Sequence, residues 1–153
     1  MNISNERVGV SATRYLKPLY AAAGTGPDRV VLQGGACACG HVFFPMQTYG
    51  CERCGRDGAA LEPRSLEAGG KLIASAMVHL HADKSRPTPF TVVEVRLDAG
   101  PTVRSLLGER AEDPELGAQM HAVLEAVGTD AGGEEVFDLR FVSAMPSGRA
   151  ISP

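Results

Sequence analysis

Four cysteines, all placed between Ala36 and Gly55, constrain this chain more than anything else in it. The stretch reads A-C-A-C-G-H-V-F-F-P-M-Q-T-Y-G-C-E-R-C-G, and the 153 residues contain no other cysteine. Cys37/Cys39 and Cys51/Cys54 form two close pairs, each followed at once by glycine, with eleven residues between the pairs. Zinc takes four thiolates at about 2.3 Å in a tetrahedron, so each pair must sit on a tight turn that aims two sulfurs inward. Glycine directly after a pair suits such a turn, because it accepts positive φ without steric cost. The second pair has the usual C-x-x-C spacing; the first is a shorter C-x-C and asks for a more distorted turn. Two disulfides, or four unrelated thiols, are the alternatives. Disulfides are expected in secreted chains, and nothing in the sequence suggests export, so the clustering points to a metal, zinc before iron. His41 stands beside the first knuckle and can in principle replace one thiolate, although a polar neighbour of the knuckle is the simpler reading.

The flanks fit this centre. Val30, Val31 and Leu32 read as a strand entering the first knuckle, and Val42, Phe43 and Phe44 leave it before Pro45 breaks the run. Two strands joined by one cysteine turn and followed by another make a zinc ribbon, assigned to residues 28–60. A unit of that size falls below the roughly 40 residues at which a hydrophobic core alone suffices. Structural zinc contributes on the order of 10–16 kcal/mol in finger peptides, against a whole domain's net stability of about 5–15 kcal/mol. Without its metal the ribbon is expected to unfold.

Before the ribbon, residues up to about Val10 form a polar tail. Tyr15, Leu16, Leu19, Tyr20 and Ala23 then fall at spacings that share one helical face, with Gly24-Thr25-Gly26-Pro27 as a stop. The expectation for residues 1–27 is a tail and a short amphipathic helix, Pro18 sitting best in its first turn.

From Leu61 onward the chain alternates, and residues 61–153 are assigned to a β domain. Leu72, Ala74, Ala76, Val78 and Leu80 read as one face of a strand, with Lys71, Ser75, His79 and His81 mostly on the other. Thr91, Val93, Val95 and Leu97 oppose Glu94 and Arg96; Asp98-Ala99-Gly100-Pro101 turns the chain back into 102–107 as a hairpin. Phe137, Leu139 and Phe141 alternate with Asp138 and Arg140. Glu115–Val127 has helical propensity, yet Asp113-Pro114, Gly117 and the alternation of Met120, Ala122, Leu124 and Ala126 favour a strand. Five strands bent at glycines suggest an OB-type barrel. The expected fold is therefore mostly β: a short N-terminal helix, a four-cysteine zinc ribbon and a C-terminal five-stranded OB-fold barrel.

The order of these motifs resembles a two-part family, a rubredoxin-like zinc ribbon followed by an acyl-CoA-associated OB-fold. The matching residues are the helix Tyr15–Ala23 and the lead Leu32-Gln33-Gly34-Gly35-Ala36-Cys37-Ala38-Cys39-Gly40. They continue through Phe43-Phe44-Pro45, the knuckle Cys51-Glu52-Arg53-Cys54-Gly55, the glycine-led Gly69-Gly70-Lys71-Leu72, and Pro89 to Gly100 with its Leu-Asp-x-Gly turn. One departure stands out: the family's first knuckle is usually C-x-x-C, and Ala36 occupies the matching first position here, the thiol having moved to Cys37. The resemblance implies a non-catalytic subunit that binds a thiolase-type or hydratase-type enzyme, with the CoA thioester bound by that partner.

The residues agree that chemistry is not expected here. A thiolase needs a free nucleophilic cysteine and a base to activate it, whereas all four cysteines are claimed by the ribbon; serine-hydrolase and phosphate-loop signatures are absent. His79 and His81 share one side of a strand, more simply a solvated face than a metal site. Lys84, Arg86 and Arg96 invite comparison with a phosphate site, but scattered surface charge accounts for them. Two other readings are a zinc-ribbon/OB-fold nucleic-acid-binding protein and a rubredoxin-like iron electron carrier. Net charge of −3 and a pI near 5.8 argue against the first; an appended β domain argues against the second. No window is long and apolar enough to span a bilayer, so a cytoplasmic location is expected.

Overall fold

The computed structural model describes residues 14–24 and 29–144; the expected polar tail lies outside them. Ten strands run in chain order: β1 (Arg14–Tyr15), β2 (Tyr20–Ala22), β3 (Val30–Cys37), β4 (Val42–Phe43), β5 (Leu61–Glu67), β6 (Gly69–Val78), β7 (Phe90–Leu97), β8 (Thr102–Leu107), β9 (Gln119–Thr129) and β10 (Glu135–Ser143). Among the described residues the only helix is a 3-10 turn at Gly58–Ala60. None is long and apolar enough to cross a membrane.

β6 to β10 close a barrel. β7 pairs with β6 and β8, β8 runs parallel to β10 at Leu106–Leu107, β10 pairs antiparallel with β9, and β9 returns to Gly69–Lys71 of β6. That order, with one parallel closure, is the five-stranded Greek-key barrel of the OB-fold. Alternation puts Val93, Val95 and Leu97 of β7 inside, with Met120, Ala122 and Leu124 of β9 and Leu139 and Phe141 of β10. The stretch 115–127 is thus a strand from Gln119 on: its alternating apolar residues have a core to face, and β10 supplies the ladder.

β3 is the spine of a second sheet. Its Tyr20–Ala22 neighbour β2 lies on one edge; β5 pairs antiparallel with it from Val31↔Glu67 to Cys37↔Leu61, and β4 meets Gly35 and Ala36. Val30, Leu32 and Leu66 of this sheet join the barrel residues in one apolar core. The cysteine end has a small core of its own, made of Cys37, Phe43, Cys51 and Leu61.

The expected helix at Tyr15–Ala23 does not form. Pro18 lacks an N–H and obstructs a continuous helix, and each flank pairs as a strand instead, Tyr20–Ala22 with the nearby Val30–Leu32 and the start of the segment with residues far along the chain. Arg14 and Tyr15 pair with Val136 and Phe137, and the Leu16 N–H donates to the Phe137 carbonyl at 2.8 Å. The residues assigned to one helical face still meet: the Tyr15 and Tyr20 rings pack edge to face at 5.9 Å, and the Tyr15 hydroxyl accepts from the Ala22 N–H.

β6 also departs from simple alternation. A register shift between Leu72 and Ala74 breaks the pairing with β7, a β-bulge that moves later side chains off the expected faces. Earlier in the strand, Gly70 lies so close to β7 that an added Cβ would sit 2.0 Å from the Arg96 carbonyl oxygen and 2.6 Å from the Leu97 Cα. Backbone atoms cannot give way as a flexible side chain would, so Gly70→Ala should destabilise the fold by about 1–3 kcal/mol or more. Urea denaturation checks this; a variant as stable as the parent would contradict the close approach.

Candidate metal centre

The local backbone explains how each knuckle is built. At the end of β3 the Cys37 N–H donates to the His41 carbonyl and the Gly40 N–H donates to the Cys37 carbonyl, both at 2.8 Å. Gly40 has φ of 91°, which a side chain would resist. In the second knuckle the Gly55 N–H donates to the Cys51 carbonyl and the Cys51 N–H to the Arg56 carbonyl, again at 2.8 Å. The Ala38 N–H donates to the Ala60 carbonyl, tying the first turn to the chain just after the second.

These turns bring all four sulfurs together, within 4.8 Å of one another. Cys37 Sγ lies 3.6 Å from Cys54 Sγ, and Cys39 Sγ lies 3.8 Å from Cys51 Sγ. A disulfide needs about 2.05 Å, so the thiols are not bonded to one another. Four ligands at about 2.3 Å on a tetrahedron sit about 3.8 Å apart, and the observed spacings fit that figure. The shorter C-x-C therefore completes the set, despite its cramped turn. Cys37 and Cys51 are buried, Cys39 is half-buried and Cys54 is exposed. The cluster could hold a metal ion.

Electrostatics agrees. The His41 backbone N–H draws the Cys39 thiol down to about 7, against burial and with help from the other three sulfurs. The Cys39 backbone N–H pulls Cys37 the same way, but burial and the neighbouring sulfurs outweigh it and push that thiol up to about 12. At Cys51 burial raises the pKa, yet the Arg53 and Cys54 backbone groups hold it below the ordinary value. One thiolate is readily accommodated here; four need a cation among them. Metal uptake at pH 7 should accordingly release about three to four protons per ion. Calorimetry in buffers of different ionisation enthalpy would count them, and release of one proton or none would contradict a four-thiolate site.

His41 is not part of the cluster. Its Nε2 lies 2.7 Å from Glu52 Oε1, and its ring stacks on Phe43 at 6.2 Å. That contact clips the first knuckle to the second from outside.

The other residues singled out from sequence do not converge. β6 ends at Val78, so His79 and His81 lie in the following loop rather than on one strand side. There His81 Nδ1 accepts from the Asp83 N–H at 3.1 Å, and its ring packs on Phe90. Arg86 lies over the Phe90 ring, ahead of β7, while Arg96 sits near the strand's other end. Lys84 is exposed.

Sequence reasoning missed a buried polar link. Asp138 and Arg140 of β10, which alternate with the apolar Phe137, Leu139 and Phe141, have side chains only 13% and 10% exposed. Asp138 accepts from the Tyr20 hydroxyl and from Arg140 Nη1, each at 2.5 Å. This link joins β2 of the ribbon sheet to the barrel.

No family model and no curated protein matches the chain. Among solved structures, an Ltp2-ChsH2(DUF35) aldolase matches with a TM-score of 0.51 and 22% identity, over 71% of this chain and 84% of that one. The likeness is one of fold.

Proposed function

We propose that the chain is a non-catalytic accessory subunit of an acyl-CoA-processing complex, its ribbon held by zinc on Cys37, Cys39, Cys51 and Cys54. The observation that carries this reading is the shared fold with a chain named as part of an Ltp2-ChsH2(DUF35) aldolase, added to the ordered motifs described above. The gathering of all four thiols into one cluster supports it further, since it leaves no cysteine free as a nucleophile. The zinc would supply no reaction step; it would fix the two knuckles and the strands that carry them.

The partner is a thiolase-type or hydratase-type catalytic subunit, which binds the CoA thioester. At its finest the resemblance is to the small subunit of a benzoylsuccinyl-CoA-type thiolase, which would make the partner's reaction the thiolysis of an aromatic acyl-CoA in anaerobic toluene degradation. In this complex the barrel and ribbon pack on the catalytic subunit and shape the access of acyl-CoA, as lids and interfaces do elsewhere.

The contact segments proposed are Pro87-Thr88-Pro89 and the loop Gly108–Gly117. Pro87 and Pro89 line one open groove of about 740 Å3 together with Gly108, Glu109, Ala111 and Asp113. The two segments therefore face a common space. Turnover by the catalytic subunit should depend on adding this chain back, and replacing either segment with Gly/Ser should weaken both complex formation and turnover. Turnover indifferent to this chain would sink the proposal.

A further inference from the structure

A second cavity, of about 270 Å3, lies at the seam where the N-terminal segment, the ribbon sheet and the barrel meet. Leu19, Leu32, Phe44, Val103 and Leu139 give it apolar walls, and Lys17, Arg86 and Arg104 bring cations to it. Arg104 is engaged, its Nε donating to Glu94 Oε1 at 2.9 Å. Lys17 and Arg86 are both exposed, and neither side chain has an ion pair or hydrogen bond among the described residues. The Arg86 guanidinium carbon rests 5.1 Å from the Phe90 ring centroid, which positions it without consuming its donors.

The cavity also touches a carboxylate, Asp138, and its charge must be accounted for. Tyr20, Arg140 and the Leu139 N–H all donate to Asp138. With Arg140 as its ion-pair partner, Asp138 is compensated within the protein. What remains for a ligand is an apolar hollow with two cations from different parts of the chain whose side-chain donors are not taken up among the described residues, Arg86 lying near enough to the Asp83 carboxylate to lower its pKa.

We infer that this seam cavity binds a small amphipathic carboxylate, with an aryl or branched alkyl body against the partly exposed Leu19, Phe44 and Val92 walls and its carboxylate between Lys17 and Arg86. The volume lies just below the roughly 300–1,000 Å3 of drug-sized ligand sites, which suits a one-ring acid rather than a nucleotide. A charged acceptor between an ammonium and a guanidinium gains the stronger, charge-assisted form of hydrogen bond. This inference does not rest on the accessory-subunit reading, because the site is formed entirely within this chain.

The test is an NMR titration of the full-length, 15N-labelled chain with 3-phenylpropionate, its neutral isostere 3-phenylpropanamide, and acetate. Saturable shifts are expected for the amides of residues 17, 19, 20, 103–106, 138 and 139. The amide ligand should bind at least about tenfold more weakly and acetate more weakly still, since each lacks one half of what the site recognises. Lys17→Gln and Arg86→Gln change exposed side chains, so both variants should fold, and each should weaken 3-phenylpropionate by about three- to tenfold. Equal binding of acid and amide, shifts confined to other residues, affinity unchanged in both variants, or no saturable shift would each overturn the inference.

Discussion

Stripping the metal from the four-cysteine centre should melt residues 38–60 while the barrel stays folded. The small core at that end consists of Cys37, Phe43, Cys51 and Leu61, so half of its buried residues are cysteines proposed to hold the metal. With the metal gone, Phe43 and Leu61 are left to hold two knuckles and a long connection. Ordering one residue's backbone costs about 1–2 kcal/mol, and two apolar side chains at about 1.5–3 kcal/mol each cannot offset more than twenty such residues. A structural zinc ion contributes on the order of 10–16 kcal/mol in finger peptides, far more than those two side chains supply. The inner half of β3 is different, because Val30 and Leu32 belong to the main core.

Hydrogen exchange before and after a chelator separates the two regions. Amides near Cys39, Cys51 and Gly55 should lose protection, while those of Val93, Val95, Leu97 and Phe141 should keep it. Cys51→Ser should reproduce the pattern, because three thiolates leave the tetrahedron open. Simultaneous loss everywhere, or no loss at all, would contradict the division between the two cores.

Asp138→Ala should cost about 3–5 kcal/mol, the scale for stripping one partner from a buried ion pair. The carboxylate is the shared acceptor for Tyr20 and Arg140, and its removal leaves the buried guanidinium, among the described residues, with the Leu139 carbonyl alone, at 3.0 Å. Tyr20→Phe loses a single hydrogen bond and should cost less, about 1–3 kcal/mol. The double variant Asp138→Ala/Arg140→Met should be more stable than Asp138→Ala alone, since no uncompensated charge remains. Urea denaturation of the three variants orders them; a double variant worse than the single would show that the loss is one of packing instead.

The same link sets a pH dependence. Burial acts to raise the Asp138 carboxyl, but the Tyr20 hydroxyl and the Arg140 guanidinium outweigh it and hold it below the usual carboxylate value. A depressed pKa in the folded state means that the stabilisation is present above the unfolded pKa of about 3.9 and is lost as pH falls through the folded one. The stability difference between the parent and Asp138→Asn should therefore shrink in acid. Tyr20 runs the other way: burial first, then Asp138, raises its pKa. Its contribution is intact below the unfolded value of about 10 and fades as pH rises towards the folded one.

What the sequence disclosed depended on how local the cause was. The clustering of the four cysteines was legible because the thiols and their turn glycines lie within one short stretch. The barrel strands were legible because Val93, Val95 and Leu97, or Met120, Ala122 and Leu124, face a core at every second residue. The helix at Tyr15–Ala23 was misread because helical spacing carries no record of strand partners: Arg14 and Tyr15 pair with Val136 and Phe137 at the other end of the chain, and Tyr20–Ala22 pairs with Val30–Leu32. The faces of β6 were misread because the bulge at Ile73 leaves no mark that alternation can register. The link from Tyr20 to Asp138 and Arg140 went unseen for a related reason: only the tertiary fold brings the Tyr20 hydroxyl to Asp138.

The most direct measurement is native mass spectrometry of the intact assembly, isolated gently from its own source. The account predicts a stoichiometric thiolase-like or hydratase-like partner, with one zinc ion for each copy of this chain. A lone chain without such a partner, whether it carries nucleic acid or a red, iron-filled cysteine centre, would contradict it.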